Sequence, residues 1–267
     1  MNLIPSLITT MSTHHPPENA TSRFSNRVTD YVRYRPGYPE CVLTLLRDRR
    51  WLQRGTRVAD IGSGTGIFSS LLLDQGAEVF AVEPNAGMRE AAEAMLGHHA
   101  LFHSIAASGE ETTLEDQSMD FIVSAQAFHW LDRTRARREF MRLLKPSGRI
   151  ALIWNVRQTA NTLFLRDYEN LLLHFAPDYA QVRHENVDVE ALESFFTGGV
   201  FEKHVFANQQ SFDFAGVCGR LLSCSYAPAE GHPLHEPMIE ELRRLFETHE
   251  QNGSVTFLYD TEVFIGG

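Results

Sequence analysis

Short apolar runs alternate with amphipathic segments along most of this chain, a pattern that predicts alternating strands and helices. The predicted strands are residues 57–61, 78–82, 100–106, 120–125, 149–154, 201–214 and 255–265. The predicted helices are residues 39–52, 67–73, 87–96, 134–144, 163–175, 215–226 and 238–250, with a turn at 145–148. Apolar strands that alternate with helices indicate an α/β protein built on a largely parallel sheet.

The first predicted strand ends in a glycine-rich loop that leads directly into a helix. Asp60 lies near the end of this strand, and Gly62, Gly64 and Gly66 follow at alternate positions. Glycines allow a sharp turn and let a ligand approach the backbone. In a strand–loop–helix unit of this kind, a nucleotide cofactor is expected at the carboxyl end of the strand.

An acidic residue ends the second predicted strand. Glu83 follows the first loop glycine by roughly 20 residues, where a carboxylate can accept hydrogen bonds from both ribose hydroxyls. The loop is not a dinucleotide fingerprint, because Ile67 occupies the position of its last glycine. Asp60 would also repel a pyrophosphate and suits a cationic ligand.

The stretch from Val58 to Gly66 resembles motif I of the class I S-adenosylmethionine-dependent methyltransferases. The resemblance implies that Asp60 and the loop hold the methionine end of the cofactor while Glu83 holds its ribose. The cofactor-binding residues that it implies on this part of the chain are Asp60, Gly62, Ser63, Gly64, Gly66, Glu83, Pro84, Met88, Ser108, Gly109, Ser124 and Gln126. Met88 is expected to pack on adenine, and Ser108 with Gly109 to contact its edge.

Two further segments narrow the resemblance to the methyltransferase type 11 subgroup that includes trans-aconitate methyltransferases. These are R-Y-R-P-G-Y-P, which contains Tyr34 and Arg35, and A-Q-A-F-H-W-L-D, which contains His129 and Trp130. The subgroup implies that Tyr34 or Arg35 reaches the cofactor carboxylate and that His129 and Trp130 border the acceptor. Read without the resemblance, the first segment equally suits an exposed helix with a rigid turn, and His129 a structural histidine.

The resemblance also implies a complete architecture. We expect a Rossmann-like, doubly wound, seven-stranded sheet of order 3-2-1-4-5-7-6, with only strand 7 antiparallel and a helical cap over the substrate pocket. Residues 1–22 are predicted to be a disordered tail and residues 23–267 a single domain. Within that domain, residues 23–40 form a lid arm, and 156–200 with 214–233 form the cap.

Composition limits the partners. The 267 residues carry a formal net charge of −10, which disfavours nucleic acid, and the basic run at 133–149 is interpreted as a solvated helix face. The three cysteines have no metal-ligand spacing and suit a reducing cytoplasm. No apolar run is long enough to span a membrane. We expect a cytoplasmic monomer or homodimer that holds no metal.

The predicted reaction is methyl transfer from S-adenosylmethionine to a small molecule, which leaves S-adenosylhomocysteine. A carboxylate acceptor, already ionised at neutral pH, needs no base; a hydroxyl or amine would, and His129 is then the candidate. Two alternatives remain at this point: a non-catalytic cofactor-binding subunit and a nicotinamide-dependent oxidoreductase.

Overall fold

A computed structural model describes residues 33–177, 179 and 189–267 of the chain. The strands are β1 (Arg57–Ile61), β2 (Glu78–Val82), β3 (Phe102–Ile105), β4 (Met119–Ala125), β5 (Leu144–Arg157), β6 (Phe201–Phe212) and β7 (Val255–Gly266). The helices are α1 (Glu40–Asp48), α2 (Ile67–Asp74), α3 (Ala86–Leu96), α4 (Arg133–Leu143), α5 (Leu163–Phe175), α6 (Val189–Phe195), α7 (Phe214–Leu222) and α8 (His235–His249). The predicted tail and residues 23–32 of the predicted arm lie outside the described residues.

All seven strands belong to one sheet of order β3-β2-β1-β4-β5-β7-β6. β7 runs antiparallel to both of its neighbours, β5 and β6, and the remaining pairs are parallel. The predicted order and the predicted antiparallel strand are confirmed. From β1 the chain continues to β2 and β3 on one side of the sheet, whereas β4 and β5 lie on the other side, so the strand order reverses between β1 and β4. A ligand site is expected where the carboxyl ends of these two strands meet.

Each face of the sheet is covered by an apolar core. In β1, Val58 packs toward α1 and α2, whereas Ala59 and Ile61 face the opposite core, which includes Phe140 of α4. All four of these side chains are completely buried. Successive strand residues point to opposite faces, so an apolar run buried on both faces is what a central parallel strand requires.

A third core lies beyond the carboxyl edge of the sheet, and we call it the cap core. It joins apolar residues of α5, α7 and α8 to the first half of β7, namely Phe164, Leu165, Tyr168, Leu172, Val217, Leu221, Met238, Leu242, Phe257 and Tyr259. β7 therefore contributes to two cores, because its second half supplies Val263 and Ile265 to the core between the sheet and helices α1 and α2. Helix α6 lies within the predicted cap segment 156–200, and its Leu192 and Phe195 belong to the same apolar core as Phe140 of α4.

Several predicted boundaries are wrong. Helix α1 ends at Asp48 rather than at residue 52, and β5 extends to Arg157 rather than ending at residue 154. Residues 145–148 do not form a separate turn, because β5 already begins at Leu144, opposite Met119, before the register shifts to place Arg149 opposite Phe121. Lys145 donates to Asp120 at 2.6 Å and holds this irregular segment against β4. Helix α7 ends at Leu222 rather than near residue 226.

Much of the predicted basic face is engaged by neighbouring groups. Arg142 pairs with Glu139 and Asp116, and Arg137 donates to the Phe195 carbonyl. Burial raises the pKa of Glu139, but hydrogen bonds from Arg142 and Thr112 outweigh it and lower that pKa to about 2. None of the helices in the described ranges combines the length and apolar composition needed to cross a bilayer.

Candidate functional site

A cavity of about 350 Å³ opens at the carboxyl end of the sheet. Many of the residues singled out in the sequence line it: Arg35, Gly62, Gly64, Glu83, Pro84, Met88, Ser108, Gly109, Gln126, His129 and Trp130. A smaller cavity of about 30 Å³ shares Gly62 and Gly64 with the first and is also lined by Asp60 and Ser63. The two motif regions, far apart in sequence, therefore meet around one space.

Close packing explains two of the loop glycines. The Gly62 N–H donates to the Val82 carbonyl at 2.8 Å, which ties the loop to β2. Gly62 has φ +69°, and an added Cβ would lie only 2.3 Å from the Ala127 side chain. Gly66 has φ +83° at the start of α2, and its Cβ would meet Leu96 of α3 at 2.7 Å. A larger residue at either position would displace a neighbouring element.

The Glu83 carboxylate is fixed by the backbone around it. Its Oε2 accepts the Gly64 N–H at 2.9 Å and its Oε1 accepts the Asn85 N–H at 2.8 Å. Burial raises its pKa despite these bonds. Each carboxylate oxygen accepts more than one hydrogen bond, so both oxygens retain capacity for ligand hydroxyls. Asn85 in turn caps α3 by accepting the Met88 N–H at 3.0 Å, which positions Met88 at the cavity wall.

Asp60 is an almost completely buried acid, 1% exposed. Its Oδ2 accepts the Ser69 hydroxyl at 2.6 Å, while its Oδ1 has no hydrogen-bond partner among the described residues. Burial raises the pKa of Asp60 to about 7; the Ser69 bond opposes this rise and the charge of Glu83 adds to it. Two buried carboxyl groups beside the glycine loop disfavour an anionic ligand and favour a cationic one.

The loop after β4 supplies the opposite wall. Gln126 adopts φ +62°, a costly conformation for a residue other than glycine, and its N–H donates to the Ile153 carbonyl at 2.8 Å. His129 and Trp130 follow on the short 3-10 turn Phe128–Trp130, with ring centroids 4.9 Å apart. Phe128 is fully buried and anchors this turn. The aromatic motif is thus partly core and partly cavity wall.

Three predicted cofactor residues, Tyr34, Gly66 and Ser124, line neither cavity. Ser124 is buried between strands, where its hydroxyl donates to the Ile61 carbonyl at 3.1 Å. The Tyr34 ring packs on Gly219 of α7, whose added Cβ would lie 2.0 Å from it. Gly66 serves helix packing, as described above. Their contribution is to shape the site rather than to line it.

Sequence reasoning missed the far end of the cavity, which is lined by Arg157, Tyr179, Arg220 and Tyr226. Arg157 is the last residue of β5, a strand-tip position that went unnoticed because the predicted strand stopped at residue 154. Arg220 interrupts the apolar stripe of α7. A charged residue within a buried helix face is a signal that the sequence does contain.

Comparison with known proteins identifies the family. A methyltransferase domain model matches residues 59–152. A protein of Bacillus licheniformis named as an uncharacterized methyltransferase is 30% identical over 171 residues, which cover 61% of this chain and 76% of the relative. The chain belongs to this methyltransferase family. An uncharacterized methyltransferase of Mycobacterium tuberculosis is 37% identical over 136 residues, 50% of this chain and 52% of that protein.

The chain thus spans about half the length of its Mycobacterium relatives. A solved chain from Anaeromyxobacter dehalogenans, proposed to be a type II methyltransferase, superposes with a TM-score of 0.64 at 22% identity, covering 87% of this chain and 97% of that one. At that identity the likeness concerns the fold. The methyltransferase resemblance of the sequence is confirmed, whereas the trans-aconitate subgroup stays a prediction. Family membership argues against the nicotinamide-dependent alternative.

Proposed function

We propose that this chain binds S-adenosylmethionine and transfers its methyl group to a small-molecule acceptor, releasing S-adenosylhomocysteine. The observation that carries the proposal is the pair of buried acids, Asp60 and Glu83, on either side of a loop whose backbone lines the cavity. The cofactor carries a cationic sulfonium and an ammonium group, which suit Asp60, and a ribose, which suits Glu83. Pro84, Met88, Ser108 and Gly109 would then surround its adenine.

The cofactor supplies the activated methyl group, so the protein need only position the acceptor and shape the electrostatics. Proximity and orientation can account for roughly 7–11 kcal/mol of the barrier. Gln126, His129 and Trp130 border the space between the glycine loop and the far end of the cavity, and they would orient the acceptor there. Among the described residues, no group of three or more His, Cys, Asp or Glu side chains is arranged to hold a metal ion.

A small acceptor is favoured because cofactor and acceptor would share one cavity of about 350 Å³, which leaves little room for a large second ligand. We propose a carboxylate oxygen as the methylated atom. A carboxylate is ionised at neutral pH and needs no catalytic base. In that case His129 contributes a wall of the site, and its titration does not control the rate.

Two measurements test the proposal. Calorimetry should detect binding of S-adenosylmethionine and no binding of NAD. Radiolabelled methyl transfer into a panel of small carboxylic acids, phenols and amines should then yield a labelled product. Cofactor binding without any labelled product across the panel would favour the alternative, a non-catalytic cofactor-binding subunit. Binding of NAD in preference to S-adenosylmethionine would contradict the proposal.

A further inference from the structure

The far end of the cavity is cationic. Arg157 ends β5 and Arg220 belongs to α7, and both side chains line the cavity beside Tyr179 and Tyr226. β5 is two strands away from β1 in the sheet, a lateral separation of roughly 10 Å at the usual strand spacing. The cavity therefore has an acidic end at the glycine loop and a basic end beneath the cap.

Arg220 is buried, and none of its described partners is a carboxylate. It is 7% exposed, and its Nε donates to the Tyr259 hydroxyl at 3.2 Å while its Nη1 donates to Cys224 Sγ at 3.0 Å. In the part of the chain that the structure describes, no carboxylate lies within ion-pair distance of this guanidinium. Arginine stays protonated in proteins, and a buried charge is costly unless an anion compensates it.

Arg157 is held along one edge of its guanidinium by two neighbouring side chains. Its Nη2 donates to Glu169 and, at 2.9 Å, to the Tyr179 hydroxyl, which itself donates to Glu169 at 2.7 Å. Its Nη1 is buried and makes no hydrogen bond to any described residue. Glu169 and Tyr179 thus orient the guanidinium of a residue that lines the cavity.

The counter-charges beside the two arginines differ. Glu169 forms an ion pair with Arg157. Arg220 has the Cys224 thiol beside it. Burial raises the pKa of that thiol, but Arg220 and Arg35 outweigh burial and lower the pKa to about 7. Near neutral pH the thiol is therefore only partly ionised, and a ligand anion would complete the compensation of the Arg220 charge.

We propose that Arg157 and Arg220 bind an anionic group, a carboxylate or a phosphate, of the methyl acceptor. The inference rests on the proposed function and adds the substrate class to it. Charge-assisted bonds from arginine occupy the oxygen lone pairs, so the bound anion is a different group from the atom that receives the methyl. The two arginines would thus select acceptors by charge and set the distance between the anchored group and the reacting atom.

The test is a calorimetric titration of the full chain, with and without saturating S-adenosylhomocysteine, using benzoate, inorganic phosphate and the neutral isostere benzamide. We expect benzoate or phosphate to bind, and the stronger of the two identifies the anion. Benzamide should bind at least about tenfold more weakly than benzoate if the carboxylate is preferred. Arg157→Gln and Arg220→Gln should each weaken anion binding by about 10-fold to 100-fold and change S-adenosylhomocysteine affinity by less than about twofold.

Arg166→Gln is the matched control, since this arginine on α5 is 59% exposed and lies outside the cavity. Circular dichroism melts establish that each variant is folded, and Arg220→Lys, which retains the charge, replaces Arg220→Gln if that variant unfolds. Failure of both anions to bind the wild-type chain, or equal binding to folded Arg157→Gln, would overturn the inference. An equal loss of S-adenosylhomocysteine affinity would also overturn it, because the arginines would then hold the cofactor. Failure of the wild-type chain to bind S-adenosylhomocysteine contradicts only the proposed function.

Discussion

Replacing Asp60 with asparagine should stabilise the unliganded fold while weakening cofactor binding. The substitution removes the charge and nearly preserves the shape. An asparagine oxygen can still accept the Ser69 hydroxyl, which now donates to Asp60 Oδ2 at 2.6 Å. What changes is the atom at the Oδ1 position, which is buried and has no hydrogen-bond partner among the described residues.

The magnitude follows from the pKa of Asp60, which burial raises from 3.8 to about 7. At 1.36 kcal/mol per unit, the buried charge costs the fold at most about 4 kcal/mol above pH 7. The folded chain binds more protons than the unfolded chain between pH 4 and pH 7, so the free energy of unfolding falls as the pH rises through this window. Removing the charge would relieve this cost, but the asparagine amide group, left without a hydrogen bond, would offset about 1–3 kcal/mol of the relief. We therefore expect Asp60→Asn to be about 1–3 kcal/mol more stable at pH 8 and no more stable than the wild type at pH 4.

Urea unfolding between pH 4 and pH 8.5 measures the first effect, and calorimetry with S-adenosylmethionine measures the second. The expected loss of affinity is about 1.5–3 kcal/mol, the range for a hydrogen bond to a charged group. Asp74→Asn, at an exposed position in α2, is the matched control. A variant that is less stable than wild type at pH 8, or that binds the cofactor with unchanged affinity, would refute the reasoning.

Three further substitutions test other parts of the site and fold. Glu83→Ala should weaken S-adenosylmethionine binding by about 1.5–3 kcal/mol in calorimetry. The control Glu240→Ala, on the exposed face of α8, should leave the affinity unchanged. Unchanged affinity in folded Glu83→Ala would contradict the ribose assignment. His129→Ala should reduce turnover modestly, with a rate independent of pH between about 6 and 8; a wild-type rate that rises through this range would reveal a base and exclude carboxylate methylation. Glu139→Gln should lower the free energy of unfolding by about 1–2 kcal/mol at pH 7, after a discount for partial exposure. That difference should shrink as the pH falls from about 4.5 to 2, and a constant difference would show that the charge is not its source.

The acidic end of the site was predictable because its determinants are local in sequence. A buried strand, three closely spaced glycines and an acid at the end of the next strand can each be recognised within a short segment. Asp60, Gly62 and Glu83 lie close together as expected. The sheet order came from the family resemblance rather than from periodicity. Ser124 and Tyr34 were assigned by analogy, and the packing of their own side chains keeps both away from the cavity.

The basic end could not be predicted in the same way. Arg157 and Arg220 are more than sixty residues apart and meet only because the cap core folds over β5. The Pro146–Gly148 segment also has the composition of a turn. In the structure it lies within β5 as an irregular segment between Leu144, which pairs with Met119, and Arg149, which pairs with Phe121. Helix α6 lacks a strong local signal and owes its position to Leu192 and Phe195.

Because β7 belongs to two cores, it constrains how new specificity can be engineered into this fold. Phe257 and Tyr259 complete the cap core, and a few residues later the same strand contributes Val263 and Ile265 to the sheet. A graft that took only α5 and α7 from a relative would pack them against Phe257 and Tyr259 of this chain, which are not matched to the new helices. A successful chimera would therefore transfer residues 156–260 as one block, with both junctions in the paired β5 and β7 ladder, where backbone hydrogen bonds are indifferent to side-chain identity.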